Sequence, residues 1–422
     1  MKLFNLRYIY TLAILLLSMS VASAQSVAEY DDEQMPDTVD SLGVDTFEVA
    51  PKALPWDQAV RRHLDHLLEH DMFKTSQVGI MVYDLDADST IYAHGERQLL
   101  RPASTMKVLT AIAAIDKLGG SYRFQTELCY TGKVDNNTLH GNVYCVGGFD
   151  PRFNIDDMRA FVEGIRKMGV DTIRGNIYAD KTMKDADTLG SGWCWDDDNP
   201  VLSPLLISRK NVFVERFVRE LQEAGIVLDG KTGEARRPED AFCIVSRFHS
   251  IDQILMKMLK ESDNLYAESM FYQLGAAAGH QPSTAKNSAA VIGRLIRKVG
   301  LDPRRYNIAD GSGLSLYNYV SAELEVRFLR YAFKNNNIYL HLHPALPAAG
   351  EDGTLRSRQR GTFTQGNVYA KTGTLKGISS LAGYCTAANG HRLAFAIINQ
   401  GVMNRANGRA FQDRVCTVLC QP

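Results

Sequence analysis

Three short clusters stand in a fixed order along this 422-residue chain: Ser104-Thr105-Met106-Lys107, Ser262-Asp263-Asn264 and Lys371-Thr372-Gly373. A hydroxyl, two amines and an amide are useful together only if the fold closes all three clusters onto one cleft. Ser104 and Lys107 head an apolar run (Val108, Leu109, Ile112, Ala113, Ile115, Leu118). That run predicts a helix with both side chains on one face of its first turn. An amine held beside a hydroxyl is the apparatus of serine acyl transfer without a histidine.

Each cluster alone is weak, because Ser-x-x-Lys is expected about once or twice by chance at this length with average usage. A second copy, Ser283-Thr284-Ala285-Lys286, follows the Ser-Asp-Asn instead of preceding it, and a second Lys-Thr-Gly, Lys231-Thr232-Gly233, precedes it. Both are out of order and read as surface features. Lys371 instead leads into Ser379-Ser380-Leu381-Ala382-Gly383-Tyr384, then Asn389-Gly390, then Leu393 to Ile398. Two apolar runs around Asn-Gly predict a hairpin.

With 422 residues, the chain has room for two or three domains. Its charge is balanced, 47 Lys+Arg against 48 Asp+Glu, so no basic field argues for a nucleic-acid partner. Lys2 and Arg7 precede the apolar run Tyr8 to Leu17, and Ala22-Ser23-Ala24 supplies small residues for cleavage before Gln25. Residues 1–24 therefore read as a signal peptide and the protein as exported, to the periplasm. No later apolar segment of about 18 residues predicts a transmembrane anchor. Residues 25–55, rich in Asp and Glu (Glu29, Asp31, Asp32, Glu33, Asp37, Asp40, Asp45, Glu48), read as an acidic disordered leader.

Seven cysteines in an oxidising compartment leave at least one unpaired. Glu127 to Lys133 and Gly141 to Gly147 read as strands around the Asp135-Asn136-Asn137 turn, which predicts Cys129 opposite Cys145 and a bridge between them. Cys416 and Cys420, four apart on a C-terminal helix, read as packing. The histidine sets His63, His66, His70 and His341, His343 read as surface, so neither a metal nor a cofactor is expected. Asp150 and Asp196 read as loop residues, and Asp310-Gly311-Ser312-Gly313 as a turn before anything else.

A helix from Trp56, a hairpin over Gln77–Leu85 and Thr90–His94, and the Ser104 helix precede a change of character near Tyr122, where short strands and turns take over. About 150 residues separate Lys107 from Ser262, more than one connection needs. An inserted domain fills the gap.

The ordered trio is the signature of class A β-lactamases and penicillin-binding proteins. Further stretches narrow the resemblance: Ser262 to Glu268, Asp310 to Ser315, Leu346-Pro347 with Gly350 to Leu355, and Trp193 with Trp195-Asp196-Asp197. With these the chain resembles the D-alanyl-D-alanine carboxypeptidases/endopeptidases of the penicillin-binding protein 4 type, peptidase family S13. The resemblance implies an α/β (α+β) fold: a penicillin-recognising serine transpeptidase/β-lactamase-like domain with a β-rich domain inserted between the Ser-x-x-Lys and Ser-x-Asn motifs. The expected division is 56–121 and 246–422 for the two parts of the transpeptidase-like domain and 122–245 for the insert.

It also implies peptidoglycan stem peptides as substrate and β-lactam antibiotics as covalent inhibitors. In such a site Ser104 is the nucleophile and Lys107 its base, made available by burial and by the nearby charge of Lys371. Ser262 relays a proton to the leaving nitrogen, and Asn264 holds Lys107 and the substrate. Lys371, Thr372 and Thr374 suit the terminal carboxylate, while Gly373 lets the strand come close to the peptide. The oxyanion donors, by family analogy, are the N–H groups of Ser104 and Thr374. A β-lactamase would need a deacylating base, and no Glu-x-x-Leu-Asn lies between Ser104 and Ser262. A non-catalytic wall-binding homologue is disfavoured by the complete set of reactive residues.

Overall fold

The computed structural model describes residues 54–197 and 199–421. The signal peptide read over 1–24, and nearly all of the acidic leader, lie outside the described residues.

Two strands near the start, β1 (Gln77–Asp84) and β2 (Ser89–His94), join three near the end to make one sheet. The late strands are β12 (Tyr369–Leu375), β13 (Ile378–Thr386) and β14 (Arg392–Gln400), and the spatial order is β12-β13-β14-β1-β2, antiparallel throughout. Both expected hairpins are present: β1–β2 forms one end of the sheet, and β13–β14 lies inside it, with β12 at the other edge. Leu393 to Ile398 is apolar at every position because the sheet is covered on both faces. Ala394, Ala396 and Ile398 join a core with the helix α8 (Ala322–Lys334) and the helix α2 (Met106–Leu118) that follows Ser104. Leu393, Phe395 and Ile397 join another with α1 (Trp56–Leu67) and the C-terminal helix α10 (Arg405–Cys420). Cys416 and Cys420 are buried thiols on that helix.

Between α2 and the second motif the chain builds two more sheets. One has the order β10-β8-β6-β3-β11: Thr232–Glu234, Ile177–Asp180, Val143–Val146, Arg123–Tyr130 and Phe242–Ser250. The other has the order β4-β5-β7-β9: Lys133–Asp135, Thr138–His140, Thr172–Arg174 and Val227–Asp229. Helices α3 (Ile155–Lys167) and α4 (Phe213–Glu223) pack on them, and residues from Leu128 to Val245 share a separate hydrophobic core. Phe149 leaves that core and stacks near Tyr272, with ring centroids 6.0 Å apart.

The expected Cys129–Cys145 bridge does not form; Cys129 is joined to Cys243. The strand pairing is close to that expected, but the register puts Cys129 opposite Tyr144 and Cys145 opposite Leu128. A one-residue offset sends neighbouring side chains to opposite faces, so Cys145 turns into the insert core as a buried thiol. On its other side Cys129 faces Cys243 of β11 directly. The bridge closes a separation of 114 residues, a loop length for which chain entropy gives about 4 to 5 kcal/mol.

The chain returns to the main body through α5 (Ile251–Lys260), capped by Ser250 and Gln253 in a reciprocal box. After one turn α6 (Asn264–Ala277) begins, buried along most of its length beside α2. The second motif is that turn. Helices α7 (Ala285–Lys298) and α9 (Asn336–Ala345) complete the helical layer.

Candidate active site

Ser104 sits in a single 3-10 turn, Ala103–Thr105, immediately before α2. Ala103 has φ +49, a conformation that costs a residue other than glycine about 1 to 2 kcal/mol. Tight packing holds it there: a Cβ on Gly313 would lie 1.8 Å from Ala103 O. Ser262 is likewise left-handed, φ +60. Both serines of the trio thus stand on or beside backbone held out of its preferred region, a pattern typical of functional sites.

Lys107 is completely buried and makes three contacts, to Ser104 Oγ at 2.9 Å, Asn264 Oδ1 at 2.7 Å and Ser312 O at 2.8 Å. Two of these partners, an amide oxygen and a carbonyl, only accept. A neutral amine donating to both leaves its lone pair facing the Ser104 hydroxyl. Burial pushes Lys107 down to about 8, against the pull of Asp310, Glu268 and Asp263, whose charges raise it. Lys371 is also fully buried, and burial first, then the charge of Lys107, hold it well below the ordinary lysine value. The expected help from the charge of Lys371 does not show at Lys107, which burial alone lowers; the charge acts in the other direction, from Lys107 on Lys371.

Lys371 Nζ reaches Ser262 Oγ at 2.9 Å and Thr372 O at 2.8 Å. The structure therefore brings Ser104, Lys107, Ser262, Asn264 and Lys371 into one connected cluster. β12 is the edge strand of its sheet. Ala370 N turns away from β13 to bond Pro347 O at 3.0 Å. Along an antiparallel strand the outward groups recur every second residue, so Thr372 and Thr374 also present N–H and C=O to the open edge. Thr372 Oγ1 meets Thr354 Oγ1 at 2.8 Å. Gly373 has a reason other than closeness to a peptide. A Cβ there would fall 2.1 Å from Ser380 Oγ, 2.7 Å from Pro102 O and 3.0 Å from Ser104 N, so its bareness lets the strand seat the Ser104 turn.

The duplicate motifs lie elsewhere. Lys231 is exposed beside β10 in the insert. Ser283 is not on the surface as expected: it is buried, and its hydroxyl donates to Tyr272 O at 2.7 Å while Lys286 stays exposed. Asp150 is buried against His249 Nδ1 at 2.6 Å, and Asp196 is exposed. His66, His70 and His341 engage Glu69, the Met72 N–H and Asp252. Among the described residues the group with metal-like spacing is Glu127, Cys129 and Cys243, and its two sulfurs are already bonded to each other.

Several residues around the cluster carry no signal at the motif level. Glu268, buried on α6, accepts from Ser312 N at 2.8 Å and Gly311 N at 3.1 Å, fixing the carbonyl that holds Lys107. Burial and the charge of Asp310 push it up to about 8. Asp310 does more than turn the chain: it accepts from Trp193 Nε1 at 2.9 Å, Gly313 N at 2.8 Å and Ser315 N at 2.7 Å. Glu268 and Asp310 fall inside stretches that carried the resemblance, which was the available clue. Glu325, bonded to Thr105 of the Ser104 turn, lies in an ordinary amphipathic helix pattern with nothing to single it out.

A partly exposed serine bonded to a buried lysine beside the free edge of an antiparallel sheet defines a serine acyl-transfer enzyme of the penicillin-recognising fold. The model of the D-Ala-D-Ala carboxypeptidase 3 (S13) family matches residues 60–206 and 206–421. The chain is 26% identical over 406 residues to the D-alanyl-D-alanine carboxypeptidase DacB of Haemophilus influenzae, covering 76% of this chain and 84% of that protein. It is 26% identical over 463 residues to the D-alanyl-D-alanine carboxypeptidase of Actinomadura sp. strain R39, covering 86% and 84%. The crystal structure of penicillin binding protein 4 (dacB) from H. influenzae superimposes with a TM-score of 0.77 at 23% identity, over 83% of this chain and 98% of that one. A second structure of that protein, complexed with a β-lactam, gives 0.72 at 23% identity over 85% and 100%. The chain belongs to the D-Ala-D-Ala carboxypeptidase 3 (S13) family. It is a serine-type carboxypeptidase.

Proposed function

We propose that the protein removes the terminal D-alanine of peptidoglycan stem peptides through an acyl-enzyme on Ser104, with Lys107 as base. The observation that carries this reading is the 2.9 Å contact between Lys107 Nζ and Ser104 Oγ, with the amine's other two contacts made to acceptors. The peptide lies along the open edge of β12 as an added strand. Lys371 and the hydroxyls of Thr372 and Thr374 hold its terminal carboxylate. As Ser104 Oγ attacks the carbonyl carbon of the penultimate residue, its proton passes to Lys107 Nζ. The oxyanion is received by the N–H groups of Ser104 and Thr374, the latter on the outward edge of β12. Losing one such donor costs on the order of 10²-fold in other enzymes.

The Ser262 hydroxyl then protonates the leaving nitrogen and is resupplied with the proton that Lys107 took from Ser104, which leaves Lys107 neutral again, while Lys371, bonded to Ser262 Oγ at 2.9 Å, stays charged and orients that hydroxyl. Hydrolysis of the ester by water, with Lys107 again as base, returns the enzyme. A β-lactam places its strained amide where the D-alanyl-D-alanine bond sits, so penicillins acylate Ser104 in the same way. The export signal read over residues 1–24 supports a periplasmic location for this chemistry, and the Cys129–Cys243 bridge suits an oxidising compartment. No helix among the described residues is long and apolar enough to cross a membrane.

Intact-mass analysis after incubation with a labelled penicillin tests the assignment. One adduct is expected on the wild type and none on Ser104→Ala. Equal labelling of the two proteins would overturn it.

A further inference from the structure

The inserted lobe meets the second motif through a turn that ordinary residues avoid. Residues 207–210 form a two-residue hairpin turn, with Ile207 N to Lys210 O at 3.0 Å and Lys210 N to Ile207 O at 2.9 Å. Its central pair, Ser208 and Arg209, has φ +46 and +68. Two successive left-handed residues make a type I′ turn, for which Asn-Gly is the favoured pair. Serine and arginine there cost about 1 kcal/mol or more each. The turn is tied down from outside by Ser208 N to Phe153 O at 2.9 Å.

The strained position aims Arg209 at Asp263, with which it forms an ion pair through Nη1 and Oδ2. Asp263 is the central residue of the second motif and the N-cap of α6, where its Oδ1 accepts from Tyr266 N at 3.3 Å. One carboxylate is thus held from two sides, by the helix it caps and by the insert. Its chain neighbours are Ser262, bonded to Lys371, and Asn264, bonded to Lys107. A rotation of this turn would displace both lysine contacts together.

We propose that Arg209 is a positioning residue for acyl transfer, holding the Ser262-Asp263-Asn264 turn in its reactive geometry from the inserted lobe; this rests on the reading of Ser104 as the nucleophile. Arg209 has a second, electrostatic effect. The charged groups around Lys107 are Lys371 on β12, Glu268 on α6, Asp310 in the turn that holds it and Asp263 itself. Asp263 favours the charged, unreactive ammonium, and a guanidinium on its far oxygen offsets that pull.

The test measures acylation of purified protein by a labelled penicillin and by a neutral ester across pH, beside melting temperature. Arg209→Gln should slow acylation at least tenfold for both reagents and move the rise of the pH profile upward. Arg209→Lys should recover part of the rate. The decisive variant is the double change Ser208→Asn with Arg209→Gly, which installs the preferred turn pair. It should melt at or above the wild-type temperature and yet acylate as slowly as Arg209→Gln, whereas Ser208→Asn alone should keep the wild-type rate. Arg209→Gln acylating within twofold of wild type, or the Asn-Gly variant keeping full rate, would overturn the proposal. A loss confined to the carboxylate-bearing reagent would overturn it too, making Arg209 a substrate contact. A wild type that acylates somewhere other than Ser104 would instead bring down the nucleophile assignment, and this proposal with it.

Discussion

Glu325 Oε1 lies 2.5 Å from Oγ1 of Thr105, the residue after Ser104, and its other oxygen is buried without a partner. Thr105 Oγ1 is also 2.8 Å from Pro102 O, and Ser380 Oγ bonds the same carbonyl. If Glu325 carries its proton, it donates to Thr105, which is then free to donate to Pro102, and every hydroxyl around the turn is used once. Burial agrees in direction, pushing Glu325 up to about 8.

The sign of the resulting pH effect follows from linkage. Between the ordinary value of 4.5 and about 8, the folded state holds a proton that the unfolded chain releases, so stability falls as pH rises through that window. Glu268, also raised to about 8, contributes in the same direction. Glu325→Gln removes one of the two contributions while keeping a donor for Thr105. Its loss of stability between pH 5 and 8 should be smaller than that of the wild type by about 1 to 3 kcal/mol, read from denaturant midpoints. Parallel curves would mean that Glu325 is already ionised in the folded protein.

How much was legible in the sequence depended on whether the information was local. The motifs, the β13–β14 hairpin and the existence of an insert follow from spacing and turn residues, which act within a few positions. The disulfide does not: choosing Cys243 over Cys145 for Cys129 requires knowing that β11 lies on the far side of β3 and which way each side chain points. Gly373 shows the same limit. Its identity is set by Ser380 and the nucleophile turn, which arrive from distant parts of the chain. The roles of Glu325 and Arg209 depend on which buried oxygens they meet, and no periodicity records that.

The duplicate motifs offer a control on the choice of site. Ser283→Ala removes a hydroxyl that donates to Tyr272 O in the buried region where α6 meets α7, so it should lower stability by about 1 to 2 kcal/mol. Acylation by penicillin should stay within about threefold of wild type. Lys231→Ala, on an exposed part of the insert, should change neither quantity measurably. A collapse of acylation in either variant, with the fold intact by circular dichroism, would show that the wrong copy had been assigned.

The two buried lysines can be separated by what each variant still does. Lys107→Ala should reduce acylation at least about 10³-fold while the folded protein still binds a D-alanyl-D-alanine peptide non-covalently, because the carboxylate clamp on β12 is intact. Lys371→Ala should lose more rate with carboxylate-bearing reagents than with neutral esters. The same variant removes an amine that, when charged, opposes a proton on Lys107, so the rise of acylation with pH should move upward relative to the wild type. Rates measured at saturating pH isolate the clamp, and the midpoint isolates the field. Equal losses for charged and neutral reagents at saturating pH would leave Lys371 with the electrostatic role alone and would reassign the carboxylate to Thr372 and Thr374.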